Sequence, residues 1–141
     1  MQATLTHGTS HSMSKVVDES MTVPHVRGDY ASFAAMPRVF ATAALVGFIE
    51  AACMETLAPH LDEGEVTLGT LIDITHSAPT PVRGTVRGEV TVTRVEPRSV
   101  TFSVTVLDDE GVVSVGTHTR AIIFRDRFEQ KVADKAQRLG L

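Results

Sequence analysis

The chain has 141 residues and a mass of 15.2 kDa, with 43% hydrophobic and 21% charged residues, the usage of one ordinary domain with one core. Thirteen Lys and Arg against seventeen Asp and Glu leave a net charge of −4 and a pI near 5.8, so the electrostatic attraction on which a general nucleic-acid binder depends is missing. The longest apolar run, within Val39 to Met54, is shorter than the roughly 20 residues that span a bilayer and carries Glu50, so neither a membrane-spanning helix nor a membrane partner is expected.

A single cysteine, Cys53, excludes an intramolecular disulfide and a CxxC metal site, and it points to a reducing compartment, the cytoplasm. The opening MQATLTHGTSHSMSK lacks a basic start and an apolar run, so residues 1–14 read as a disordered leader, not a secretory signal, with residues 15–141 as a single domain. Lys15 to Val26 suggests a short strand ending near Pro24. Arg27 to Pro37 (RGDYASFAAMP) lacks period-2 alternation and reads as a loop or short irregular helix of the kind that covers a pocket.

From Pro37 to Leu61 the chain is rich in Ala, Leu, Met and Glu and is bounded by prolines, which predicts one long helix. Apolar side chains occupy every face of it, so it should be buried nearly all round. Four strands follow: EVTLGTLIDITHS, VRGTVRGEVTVTRVE, RSVTFSVTVLDDEG and VVSVGTHTRAIIFRD, the last three alternating with period 2. Short turns at Glu96-Pro97 and Asp108 to Gly111 make an antiparallel meander the simplest topology. Phe128, Val132, Ala136 and Leu139 recur at helical spacing among five basic and three acidic residues between Arg125 and Arg138, a surface helix whose mild positive bias reads first as a solvated face and only second as a contact for a phosphate-bearing ligand. An α+β architecture results, an apolar helix wrapped by an antiparallel sheet, with a second copy closing the remaining side.

Glu50 stands out because a carboxylate inside an apolar helix must be paired, neutral or put to use as a catalytic acid or base. His76 closes the strand TLIDITH at a point where loops gather, and beside a carboxylate an imidazole makes a general base. Thr42 opens the helix, either as a capping hydroxyl or as part of a hydroxyl, imidazole and carboxylate set. Eight residues of straight helix separate Thr42 from Glu50 by about 12 Å, so direct contact needs a bent segment or a second subunit. Gly69 interrupts a strand as a bulge or a close backbone approach. Cys53 and Met54 read as helix core, and His118 to Arg120 as a strand face with solvated or paired charges. The scattered histidines, His7 and His11 among them, form no metal-ligand set.

The run PRVFATAALVGFIEAACMETLAPHLDEGEVTLGTLIDITHSAPTPVRGTV, followed by GTHTRAIIF, resembles the fluoroacetyl-coenzyme A thioesterases of the hotdog-fold thioesterase superfamily, over about Val23 to Val132. The resemblance implies a hotdog fold, a homodimer with sites near the interface, and hydrolysis of a short acyl-CoA to free acid and CoA. No cofactor is implied, coenzyme A being part of the substrate. It further implies catalytic roles for Thr42, Glu50 and His76, an approach of Gly69 to the acyl group, and a lid containing Val23 and Phe33. Where the family has a second gating Phe this chain has Met36, which is more flexible and would admit other short acyl groups. A non-catalytic acyl-CoA or small-ligand binding module, or a hotdog hydratase, are the competing readings. Release of free CoA separates them.

Overall fold

The computed structural model describes residues 1–141. In chain order it contains strand β1 (Ser10–Val16), a 3-10 turn (Glu19–Met21), the one-turn helices α1 (Val23–Val26) and α2 (Ala31–Ala34), and the long helix α3 (Thr42–Leu57), continued by a 3-10 turn (Ala58–His60). Strands β2 (Glu65–Ile74), β3 (Thr85–Glu96), β4 (Ser99–Asp108) and β5 (Gly111–Phe124) and helix α4 (Arg125–Leu139) complete it.

All strand pairs are antiparallel and the sheet order is β1-β3-β4-β5-β2. The meander holds for β3, β4 and β5, but β2 pairs with β5 instead of leading into β3. The cause lies in residues 75–84, where Pro79, Pro81 and Arg83 at φ +72° make a crossing connection, not a hairpin. With β2 sent to the far edge, β1 takes the place beside β3.

The amino-terminal segment differs from the leader expected over 1–14. Ser10 to Val16 pair with Thr91 to Thr85 of β3, Leu5 is buried in the core, and the terminal ammonium lies 2.6 Å from Asp62 and 2.6 Å from Glu65. A polar sequence such as SHSMSKV can be ordered because backbone ladder bonds, independent of side chain, hold it to the edge of β3. The strand expected over Lys15 to Val26 is thus shifted toward the amino terminus, and residues 19–26 are helical turns.

Helix α3 starts at Thr42, five residues after Pro37, because Val39 and Phe40 are held extended by bridges to Pro81 and Thr22. Its Leu45, Phe48, Ile49, Ala52, Cys53 and Leu57 form the core with Val86, Val90, Val92, Val100, Phe102, Val104 and Val106 of the sheet. Each buried valine stands for roughly 1.5–3 kcal/mol of apolar transfer, so this face anchors the helix. Residues 42–60 are long and apolar enough to cross a membrane by length and composition alone, in contrast to the shorter run Val39 to Met54, but here they line the sheet. The burial is one-sided in the single chain: Met54 is 49% exposed, and the Glu50 side chain 39%. Helix α4 has no buried residue, and its apolar side chains Phe128, Val132 and Leu139 are exposed.

Candidate active site

Two polar groupings lie about 12 Å apart along α3. At the helix start, Thr42 Oγ1 and His76 Nδ1 are 2.8 Å apart. Ala41, not Thr42, is the N-cap residue, and no side chain caps the helix, so the threonine hydroxyl is committed to the imidazole and the first-turn N–H groups keep their electropositive field. His76 is fixed by an extension of the β2–β5 ladder: Thr75 N–H donates to Val115 C=O and Ser77 N–H to Val113 C=O, each at 2.9 Å. The Phe40 ring meets the imidazole edge-on at 6.2 Å. His76 Nε2 is buried without a hydrogen-bond partner, and burial lowers the imidazole pKa from its ordinary 6.5, so the ring is neutral at pH 7. Thr42 and His76 line a cavity of about 330 Å³ with Val23, Val39, Phe40 and Pro79.

The second grouping surrounds Glu50. Arg120, 3% exposed, donates from Nε to Thr67 Oγ1 at 2.9 Å, from Nη2 to Thr67 C=O at 3.0 Å, and from Nη1 to Glu50 Oε1 at 3.1 Å. The same Nη1 lies 3.1 Å from His118 Nε2, while His118 Nδ1 lies 2.7 Å from Leu71 C=O. A carbonyl accepts only and a guanidinium donates only, so His118 carries its proton on Nδ1 and is neutral. Burial, foremost, with the Arg120 charge working in the same direction, lowers its pKa. The 3.9 Å approach of His118 Nε2 to Glu50 Oε1 is therefore no ion pair, and Arg120 alone compensates the carboxylate.

Gly69 belongs to this second grouping. A Cβ there would stand 2.3 Å from Glu50 Oε1 and 3.1 Å from His118 Cε1, so only glycine lets the carboxylate lie against β2. The β2–β5 register also shifts between Gly69 and Leu71, so a bulge and a close approach coincide.

Thus Thr42 and His76 come together, Glu50 and Gly69 come together, and one chain does not join the pairs. Val23 lines the Thr42–His76 cavity, whereas Phe33 in α2 and Met36 just after it lie outside that lining, Met36 being 47% exposed. Sequence reasoning left His118 and Arg120 as an ordinary strand face. The signal was their parity with Ile122: His118, Arg120 and Ile122 alternate along β5 and all three are buried, so two polar side chains point to the core side.

The profile of the fluoroacetyl-CoA-specific thioesterases matches residues 17–126. A fluoroacetyl-CoA thioesterase from Streptantibioticus cattleyicolor is 40% identical over 120 residues, covering 85% of this chain and 86% of that protein. The solved structure of the fluoroacetyl-CoA thioesterase FlK superposes with a TM-score of 0.91 at 37% identity, over 93% of this chain and 97% of that one. A hot-dog-like protein from Thermanaerovibrio acidaminovorans gives 0.79 at 29% identity, over 92% and 91%. With the antiparallel sheet wrapped on a central helix, these likenesses establish that the chain belongs to the fluoroacetyl-CoA-specific thioesterase family, hotdog-fold enzymes that hydrolyse acyl-CoA thioesters.

Proposed function

We propose that the chain hydrolyses a short acyl-CoA of the fluoroacetyl type at the Thr42–His76 cavity, with His76 as general base. The observation that carries this is the 2.8 Å contact between Thr42 Oγ1 and a neutral imidazole whose other nitrogen is unpartnered. A neutral imidazole can accept a proton, and either tautomer supplies a base. With the proton on Nε2, Nδ1 accepts the Thr42 hydroxyl proton as Oγ1 attacks the carbonyl carbon. With the proton on Nδ1, Nε2 takes a proton from an attacking water. In both, a C–O bond forms, the C–S bond breaks, and the imidazolium returns its proton to the departing CoA thiolate. In the Thr42 route the acyl group is then an ester on Oγ1, and a water that gives its proton to the same imidazole attacks it, releasing the free acid and returning the proton to the threonine oxygen. The uncapped amino terminus of α3 supplies the positive field for the developing oxyanion.

Glu50 completes the site from a second copy of the chain. The β2 edge is open, and Leu68, Leu71 and Ile72 on it are exposed, which invites another strand. Antiparallel pairing of two β2 edges about a two-fold axis sets the His76 end of one strand beside the Gly69 end of the other. The contacts of Glu50 fall on Oε1, so Oε2 is left to orient water or substrate across that interface. Val23, Phe33 and Met36 form the lid, and the flexible Met36 admits acyl groups beyond fluoroacetyl. The protein works in the cytoplasm as a homodimer with no further cofactor or metal.

Thiol release from fluoroacetyl-, acetyl-, propionyl- and phenylacetyl-CoA tests this reading, with sedimentation to give the oligomeric state. His76→Ala should lower kcat by about 10²- to 10⁴-fold, Glu50→Gln should also lower it, and both should remain folded dimers. Thr42→Val separates the two proton routes: activity is abolished if Oγ1 attacks and reduced if water does. Variants that match the wild type would overturn the site.

A further inference from the structure

Thr42 and His76 lie 34 positions apart, and the two segments that carry them meet at Thr80. Thr80 is 1% exposed, and its C=O accepts the Phe40 N–H at 2.8 Å, just before α3 begins. A bridge between Val39 and Pro81 runs beside that bond, and the Phe40 ring lies against the His76 imidazole. Only Ser77, Ala78 and Pro79 separate His76 from Thr80. The Ser77 N–H is tied to β5, and the rings of Pro79 and Pro81 fix φ on either side of the threonine. Little freedom is left between residue 80 and the Thr42–His76 pair.

The Thr80 side chain is held in turn. Its hydroxyl donates to Asp108 Oδ2 at 2.8 Å, a bond that joins the connection of residues 75–84 to the turn between β4 and β5. Asp108 Oδ1 accepts the N–H groups of Glu110 at 2.9 Å and Gly111 at 3.2 Å, so the turn fixes the carboxylate and the carboxylate fixes the threonine. Burial raises the Asp108 pKa, but the donors of Glu110, Thr80 and Gly111 together outweigh it and hold the carboxyl below its ordinary value, so it is ionised at neutral pH. Gly84 leaves room for the arrangement: a Cβ there would stand 2.7 Å from Thr80 Cγ2 and 3.0 Å from the Pro81 carbonyl oxygen. The turn is closed by the two Oδ1 bonds, and the bond from Oδ2 to Thr80 is additional to it.

We infer that Asp108 is a positioning residue for thioester hydrolysis, acting through the Thr80 hydroxyl to hold the Phe40 entry into α3 and the His76 loop at the separation that gives the Thr42–His76 contact. The inference rests on the reading of that pair as the site of hydrolysis. Thr80→Val removes the hydroxyl and keeps the branched shape, while Asp108→Asn keeps an Oδ1 acceptor for the turn and puts a donor in place of Oδ2. Each should lower kcat about tenfold with KM within about twofold, at temperatures well below melting, and Thr80→Ser should restore most of the rate. The double variant should be no slower than the slower single one, because both act on one bond. Should Thr80→Val not fold, Asp108→Asn on its partly exposed turn carries the same test. Imidazole nitrogen NMR of histidine-labelled protein reads the pair without turnover. The His76 Nδ1 signal, which reports the contact with Thr42 Oγ1, should move in both variants toward its position in Thr42→Val, with the His118 signals unchanged. Rates and signals equal to those of the wild type in the folded variants overturn the inference. So do a lowered melting temperature with kcat unchanged, a Thr80→Ser variant as slow as Thr80→Val, and losses that add in the double variant. If the wild type cleaves no thioester, the proposed activity fails by itself, and the His76 signal still decides whether Asp108 and Thr80 place the pair.

Discussion

The two polar groupings on α3 are opposites in how they are satisfied. Around Glu50 every donor of interest has a partner: Arg120 is spread over Thr67, Glu50 and His118, and His118 over Arg120 and Leu71. At Thr42 a single contact ties an exposed hydroxyl to an imidazole whose second nitrogen has no partner. The buried Arg120 and His118 fix the position of Glu50 Oε1, because removing either leaves the other short of a partner in a low dielectric. A neutral imidazole with an unpartnered nitrogen keeps a lone pair that can take up a proton. The difference fits the proposed division of roles, with Arg120 and His118 holding Glu50 in place and His76 taking the proton.

The largest blow to this contrast should come from Arg120→Met. It leaves Glu50 without its cation and removes the donor to His118, and urea unfolding should report a loss of about 3 kcal/mol, at the lower end for a broken buried pair because Glu50 is partly exposed. Gly69→Ala should cost less, about 1–2 kcal/mol, since the new methyl group displaces the end of a flexible carboxylate and not backbone. The same variant should lose thioesterase activity out of proportion to its stability, which sets the position of Glu50 apart from its contribution to folding.

A pH titration of stability tests both ends at once. His76 and His118 have pKa values held below 6.5, with burial the leading cause in each. Above 6.5 neither state of the protein binds these protons. Below it the unfolded chain takes them up first, so stability falls as pH drops from 6.5 through the lowered folded values. The melting temperature should follow that slope, and His118→Gln and His76→Gln should each flatten part of it. Activity should persist below 6.5 for the same reason, with the acid limb of kcat/KM displaced downward. The smallest effect is Thr42→Val, which should change unfolding free energy by no more than about 0.5 kcal/mol, because the hydroxyl is exposed and caps nothing.

Cys53 gives a further check on core order at α3. Burial pushes its thiol pKa up to about 12, so iodoacetamide at pH 8 should leave the native protein unmodified and label it only after unfolding.

Much of this was open to reading in one dimension. The long helix follows from a run of good helix formers between prolines, and Thr42, Glu50 and His76 were visible as polar residues in an apolar helix and at a strand end. Period-2 alternation gave β3, β4 and β5, because it is a local consequence of a half-buried strand. The amino-terminal strand was hidden, since SHSMSKV has almost no apolar signal and is held by backbone bonds to β3. Arg120 and His118 were hidden for another reason. Their inward direction could be read from parity with Ile122, but their opposition to Glu50 depends on the pairing of β5 with β2 and on how α3 lies across the sheet.

The sequence by itself determined the elements and the chemical types available, because helix propensity, strand alternation and turn residues act over a few positions. Only the tertiary structure decided which of those residues meet. It sent β2 to the edge beside β5, split the polar set into a Thr42–His76 pair and a Glu50–Arg120 grouping, and left β2 as an open strand edge. Contacts between residues 34 and 70 positions apart, as in Thr42–His76 and Glu50–Arg120, are fixed by packing of the whole sheet on one helix and by nothing nearer along the chain.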